Sequence, residues 1–131
     1  MTELTRALEA CAVVGTFPTD LVGDAMRAMG EGDLAERVYS ASEGMPWEAV
    51  AEFFSCAVWQ TSDNGTQILR TTDQWLTEGQ DERKVAIALH VDAYPFLDAA
   101  EMEQVLRETA VRFPQFAAKC ADMIKGRGGR S

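Results

Sequence analysis

The side chains able to do covalent chemistry in this chain are few. There is one histidine, His90, and the cysteines lie far apart in the sequence, at Cys11, Cys56 and Cys120. A thiol nucleophile needs a neighbouring base and a third group that orients the base, and His90 with Asp92 or Asp98 would supply both. Each cysteine, however, occupies an apolar helical setting, where desolvation raises the pKa of a thiol. We therefore expect no catalytic residue, and we expect His90 to be a partly buried helix residue.

Two pairs of carboxylates stand four residues apart, Asp20 with Asp24 and Glu48 with Glu52, so each pair shares one face of a helix. Paired carboxylates serve acid–base catalysis or bind divalent cations. These pairs lack the Glu-x-x-His companions of a di-metal helical bundle. The favoured interpretation is a solvated face, with no metal and no cofactor. The second pair lies on the most apolar helix, where it would face a lysine or arginine of a partner.

Aromatic residues offer a second kind of site. The chain has three tryptophans, Trp47, Trp59 and Trp75. At helical spacing their default role is core packing, although tryptophan is also enriched in the binding hot spots of interfaces. Trp59 is the best candidate for exposure, because it ends its helix beside the polar turn 62–65. The candidate partner-binding residues are accordingly Glu48, Glu52, Trp59, Asp20 and Asp24.

Charge is the strongest compositional signal. The chain carries a formal charge of −9, and all 21 acidic residues precede position 125 together with 9 of the 12 Lys and Arg residues. Residues 1–124, the body of the chain, therefore carry a net charge of −12, and residues 125–131 add a charge of +3. Such a body repels a phosphate backbone, which argues against nucleic acid as a partner. It suits a basic protein partner, and solubility alone is the alternative explanation of the charge.

Length and cysteine usage indicate the broad class. A chain of 131 residues matches one domain and buries enough surface to fold without disulfides or metal. The odd cysteine count and the apolar settings favour buried free thiols and hence a reducing compartment. The N-terminal residues lack the pattern of a signal peptide, and no run is long enough to span a membrane. The expected location is the cytoplasm, and no pattern selects an oligomeric state.

Helical periodicity runs through almost the whole chain, and no strand-like alternation persists over five residues. The connections are short and carry capping residues. Asp33, Asp81 and Asp98 are predicted N-caps, and Gly30 and Gly79 are predicted helix ends. The sequence predicts an all-α fold, a compact single domain of about seven helices over residues 1–124. A flexible basic Gly/Arg tail is expected over residues 125–131.

The most apolar segment is predicted to be the central helix. Pro46 suits its first position, where the missing N–H costs nothing. Its polar residues Glu48, Glu52 and Ser55 fall on one narrow stripe. A helix that is apolar over the rest of its circumference should be mostly buried.

Three stretches together resemble a family of uncharacterised bacterial helical proteins, some of them encoded near contractile or type VI secretion genes. They are the helix starts Pro46-Trp47-Glu48-Ala49-Val50 and Asp81-Glu82-Arg83-Lys84-Val85-Ala86, and between them Asp73-Gln74-Trp75-Leu76. The resemblance covers roughly residues 46 to 110 and consists of capping and packing signatures. It implies a bacterial or phage-related origin and a secretion-associated setting, and it brings no catalytic residues.

Three functional hypotheses remain open. The leading one is a non-enzymatic interaction module, an adaptor or chaperone that binds a basic protein through an acidic helical surface. The alternative is an inhibitor or immunity protein whose acidic residues cover the basic site of a toxin or nuclease. The third, an enzyme or small-ligand binder, requires a sizeable pocket on which His90 or the paired acids converge.

Overall fold

The computed structural model describes residues 2–13, 18–30, 33–63, 65–91, 95–96 and 98–128. These residues form eight α-helices and two 3-10 turns, with no strand among them. The helices are α1 (Thr2–Cys11), α2 (Thr19–Met29), α3 (Leu34–Ala41), α4 (Trp47–Ala57), α5 (Thr66–Glu78), α6 (Glu82–His90), α7 (Ala99–Arg112) and α8 (Ala117–Gly128). The 3-10 turns are Val58–Gln60 and Pro114–Phe116. The all-α prediction is confirmed, with eight helices in place of about seven.

The predicted helix boundaries follow from capping chemistry. Asp33, Asp81 and Asp98 each precede a helix and accept hydrogen bonds from backbone N–H groups in its first turn. Those donors have no partner within the helix, so each cap stabilises a defined start. Gly79 ends α5 at a φ of 60°, and Gly30 ends α2 at a φ of 72°. Positive φ is available to glycine at little cost, which explains both ends.

Helix α4 lies at the centre of the bundle, as its composition predicted. Eight of its eleven residues are buried, and it packs against α1, α2, α3 and α6. Pro46 was expected at the first helical position, but its ψ of 143° is extended and the helix begins one residue later, at Trp47. Proline therefore stands in the capping position, where it still cannot interrupt an intrahelical hydrogen bond.

The polar stripe of α4 is shorter than predicted. Glu48 is exposed and Glu52 is half-buried, but Ser55 is buried. The Ser55 hydroxyl donates to the Ala51 carbonyl oxygen at 2.9 Å, which satisfies it inside the protein. Of the polar residues on this stripe, only the two glutamates remain open to solvent.

Two clusters of buried side chains make up the core. The larger one surrounds α4, and the smaller one lies between α7 and α8 and the neighbouring faces of α5 and α6. Adjacent residues of α5 divide between them, because Trp75 belongs to the first cluster and Leu76 to the second. Ile87 and Leu89 divide in the same way on α6. Helices α5 and α6 thus join the two clusters.

Helix α8 passes the boundary predicted at residue 125. It continues to Gly128, and the Arg127 guanidinium donates through Nη1 to the backbone oxygens of Pro95 at 2.7 Å and Phe96 at 2.6 Å. The expectation of a tail from residue 125 considered only apolar contacts, whereas this turn of helix is held by a polar one. Residues 129–131 of the predicted tail lie outside the described residues.

Candidate functional site

Trp59 projects into solvent from a backbone that is held on both sides. Its side chain is 76% exposed, whereas the preceding Val58 is 4% exposed. A Cβ placed on Gly65 would lie 2.6 Å from the Val58 Cβ, so these two residues are in close contact. On the other side, the Gln60 side chain donates through Nε2 to the backbone oxygen of Thr19 at 3.0 Å. The indole is therefore an exposed aromatic surface on a fixed 3-10 turn.

The contact of Gln60 with α2 places the helix that carries the first carboxylate pair beside the Trp59 turn. A Cβ on Gly23 would lie 2.6 Å from the Gln60 Oε1 atom, so the amide packs directly against the α2 backbone. Asp20 and Asp24 stand on the same two turns of α2 and are both exposed. Asp24 also forms an ion pair with Arg27, so Asp20 carries more of the net negative charge at this end of α2.

The second carboxylate pair lies on α4, the helix that leads into the Trp59 turn. Glu48 and Glu52 are one helical turn apart, and Trp59 follows Glu52 by seven residues, which is close to two further turns. The rise between Glu52 and Trp59 is about 10 Å along the axis. We call the five residues Glu48, Glu52, Trp59, Asp20 and Asp24 the Trp59 surface. All five belong to α2, α4 or the turn that follows α4, and α2 packs against α4.

Charge is divided unevenly between the halves of the chain, and the Trp59 surface lies in the acidic half. Residues 1–65 contain eleven acidic and three basic residues, a net charge of −8. Residues 66–131 contain ten acidic and nine basic residues, a net charge of −1. The first half comprises α1 to α4 and the turn that holds Trp59. A positively charged partner is therefore attracted towards this half.

His90 is used in local packing. Its ring lies 4.6 Å from the Trp47 ring, centroid to centroid, and its Nδ1 lies 2.7 Å from the Ala86 carbonyl oxygen. That carbonyl only accepts, so Nδ1 carries a proton, and Nε2 is the acceptor when the ring is neutral. Of the two orienting candidates, Asp98 caps α7 and Asp92 lies outside the described residues.

The cysteines are buried free thiols with raised pKa values. Burial, with a smaller contribution from the negative charge of Glu52, raises the pKa of Cys11 to about 12 and that of Cys56 to about 11. Burial also raises the pKa of Cys120. A thiol is nucleophilic only as the thiolate, so all three are poor nucleophiles near neutral pH.

One polar cluster was not anticipated from the sequence. Asp73, on α5, accepts a hydrogen bond through Oδ1 from the backbone N–H of Phe96 at 3.1 Å. The backbone oxygen of Phe96 accepts a hydrogen bond from Arg127. The φ of Phe96, 64°, is unusual for a residue other than glycine. Burial raises the pKa of Asp73 to about 6, with Glu101 adding to the rise and the Phe96 N–H and Arg127 opposing it. Asp73, Phe96 and Arg127 are more than 20 positions apart in the sequence, so no local motif could have revealed this cluster.

Two surface depressions lie away from His90 and the carboxylate pairs. One, of about 420 Å³, lies where the end of α2 meets the starts of α3 and α5. The other, of about 600 Å³, lies on the outer face of α7 around the exposed Val111. Neither is lined by the residues that the ligand-binding hypothesis requires.

In the part of the chain that the structure describes, no three His, Cys, Asp or Glu side chains stand together as a metal site. None of its helices has both the length and the apolar character needed to cross a bilayer. Comparison with protein-family models, curated protein sequences and solved structures found no significant match of any of the three kinds.

Proposed function

We propose that this protein is a non-enzymatic interaction module that binds a basic protein through the Trp59 surface, as an adaptor or chaperone does. The observation that supports it most is the exposure of Trp59, at 76%, on a turn fixed by Val58 and Gln60. A large aromatic side chain held in water loses solvent contact when a partner covers it, and it loses little conformational entropy because its backbone is already ordered.

Charge favours a basic partner. Glu48, Asp20 and the half-buried Glu52 stand on the half of the chain whose net charge is −8. Carboxylates at the edge of an interface speed association with a positive surface and exclude negative ones. The apolar anchor and the acidic surroundings therefore have separate roles, since Trp59 contributes binding energy and the carboxylates contribute steering.

An inhibitor or immunity protein is the second candidate, and the same observations favour it. An acidic surface with a projecting aromatic side chain fits the basic cleft of a nuclease or toxin. The two candidates differ in what happens to the partner, because an inhibitor abolishes the partner's enzymatic activity at stoichiometric concentration and an adaptor leaves it intact.

Cellular setting forms part of the proposal. The three cysteines are buried free thiols, the form that a reducing compartment preserves, so we assign the protein to the cytoplasm. A role linked to bacterial secretion rests on the sequence resemblance over residues 46 to 110.

The proposal is tested by affinity capture from cells with matched variants. Trp59→Ala removes the aromatic anchor, and Asp20→Asn with Glu48→Gln removes two charges from the Trp59 surface. Glu108→Gln with Asp122→Asn removes the same two charges from exposed positions on α7 and α8. We expect one basic protein that is recovered at low salt with the wild type and with the α7–α8 variant, and that is lost with the other two. Recovery that is the same for all four proteins, or no recovered partner, would contradict the proposal.

A further inference from the structure

The backbone at Phe96, just before α7, is held by two other helices. Its N–H donates to the Oδ1 atom of Asp73, on α5, at 3.1 Å. Its carbonyl oxygen accepts from Nη1 of Arg127, on α8, at 2.6 Å, and the same nitrogen donates to the carbonyl oxygen of Pro95 at 2.7 Å. Phe96 therefore links a carboxyl group on α5 to a guanidinium on α8.

These contacts impose an unfavourable backbone conformation on Phe96. Its φ of 64° lies in the left-handed region, which costs energy for any residue that has a Cβ atom. Such a conformation persists only where the surrounding contacts impose it. The Phe96 side chain is half-buried and packs against the smaller core cluster. Release of this backbone would therefore both relieve strain and expose an aromatic ring.

The last turn of α8 depends on the same contacts. It consists of Lys125, Gly126, Arg127 and Gly128, and glycine is a poor helix former. The turn has no apolar side chain with which to pack on the core. The hydrogen bonds of Arg127 to Pro95 and Phe96 thus stabilise the last turn and residues 95–96 together, and breaking them weakens both.

Asp73 is the titratable group within this arrangement. Burial raises its pKa to about 6; the Phe96 N–H opposes the rise, Glu101 on α7 adds to it and Arg127 opposes it. Helices α3 and α6 also pack against α5, and none of their described charged groups contributes to the shift. Because Phe96 lies directly on the carboxyl group, its departure admits water and lowers the pKa. Ionisation of Asp73 therefore favours the arrangement in which Phe96 has moved away.

We infer that Asp73, residues 95–96 and the last turn of α8 form a pH-sensitive latch, which is tight while the Asp73 carboxyl is protonated and loosens when it ionises. In the loosened form Arg127 leaves the two carbonyl oxygens, the last turn of α8 unwinds and Phe96 leaves its strained conformation. We call this arrangement the Arg127 latch. It contains no residue of the Trp59 surface, so it is independent of the proposed function.

Amide hydrogen exchange measured by NMR at pH 5 and pH 7.5 tests the latch. Division by the intrinsic exchange rate at each pH gives the equilibrium constant for local opening. With the pKa of Asp73 at about 6 when the latch is closed and at its ordinary value of 3.8 when it is open, that constant should rise about tenfold from pH 5 to pH 7.5. The amides of Phe96 and of residues 125–127 should show the rise, and those of α4 should not.

Three variants sharpen the test. Asp73→Asn keeps an acceptor without a charge, so its opening should not depend on pH. Arg127→Gln breaks the latch and should raise opening at pH 5 to at least the level of the wild type at pH 7.5. Asp122→Asn removes an exposed carboxylate from α8 and should behave as the wild type does. Circular dichroism checks that each variant is folded.

Four results would overturn the inference. Opening at Phe96 and at residues 125–127 that is constant with pH, or that decreases as the pH rises, excludes the proposed coupling. A pH dependence that persists in Asp73→Asn assigns it to another group. Protection of the Phe96 amide that is unchanged in Arg127→Gln shows that Arg127 does not hold the connection. An equal change at the amides of α4 shows that pH acts on unfolding of the whole protein.

Discussion

The Gln60 side chain donates a hydrogen bond from Nε2 to the backbone oxygen of Thr19 at 3.0 Å. This contact joins the end of α4 to the start of α2, two segments 41 residues apart in the chain. It holds the turn that exposes Trp59 beside the helix that carries Asp20. The two residues in this contact, Gln60 and Thr19, are the sequence neighbours of Trp59 and Asp20, so the contact sets the distance between the segments that carry these two candidate binding residues.

The three tryptophans should differ sharply in their effect on stability. Trp59→Ala should change the free energy of unfolding by less than about 0.5 kcal/mol, because its side chain is mostly in water. Trp75→Ala should cost about 3–5 kcal/mol, since Trp75 is 2% exposed and its Nε1 donates to Glu36. Urea denaturation monitored by circular dichroism measures both. Equal losses in the two variants would mean that Trp59 is a core residue.

Two glycine substitutions isolate the packing that supports the Trp59 turn. Gly65 and Gly44 both have positive φ, at 80° and 87°, so alanine strains either backbone. Only at Gly65 would the new Cβ meet another residue, Val58, while the space around Gly44 is open. Gly65→Ala should therefore destabilise the protein by about 1–3 kcal/mol more than Gly44→Ala in thermal or urea unfolding. Similar losses would show that Val58 is not held by Gly65.

Asp73 should make stability fall as the pH rises. Burial raises its pKa from 3.8 to about 6, so the folded protein holds this proton more tightly than the unfolded chain does. The free energy of unfolding contributed by this group is therefore highest below pH 4 and decreases up to about pH 6. Asp73→Asn keeps an oxygen for the Phe96 N–H without the charge, and it should be more stable than the wild type at pH 7.

Thermal unfolding of wild type and Asp73→Asn across this pH range measures the effect. The advantage of the variant should be smallest near pH 4 and should grow up to about pH 6. Asp122→Asn removes a carboxylate from an exposed position on α8 and serves as the control. An advantage of Asp73→Asn that does not vary with pH would contradict the raised pKa.

The thiols should be unreactive in the folded protein. Burial raises the pKa of Cys11 to about 12 and that of Cys56 to about 11, and Cys120 is buried too. A thiol-specific reagent at pH 7.5 should modify all three slowly in native protein and rapidly in denaturant. Mass spectrometry after brief exposure counts the modified residues. Rapid native labelling of any one cysteine would reopen the possibility of a reactive thiol.

Local patterns accounted for most of the fold. The aspartate caps, the glycine helix ends and the burial of α4 follow from short-range rules, because capping and helical periodicity depend on neighbouring residues. The exposure of Trp59 was predicted in the same way, from its position beside a polar turn, and it is confirmed. The extent of α8 was not predicted by such rules, because Arg127 donates to the backbone oxygens of Pro95 and Phe96, which lie about 30 residues earlier.

The arrangement of the candidate site depended on contacts that no sequence pattern reveals. The pairs Asp20–Asp24 and Glu48–Glu52 could each be placed on a helix face, but nothing in the spacing related one helix to the other. The Gln60 contact with α2 supplies that relation. One signal was available in the sequence, since the net charge of −8 on residues 1–65 already indicated which half would attract a basic partner.

The most direct test of the central claim is an NMR titration of ¹⁵N-labelled protein with a short basic peptide such as oligo-arginine. Trp59→Ala identifies the indole N–H signal of Trp59 among the three tryptophans. We predict that the shifts concentrate on that signal and on the backbone amides of Gln60, Asp20 and Glu52, with α7 and α8 unaffected. Shifts centred on α7 and α8, or spread evenly over the protein, would contradict the claim that the Trp59 surface is the binding site.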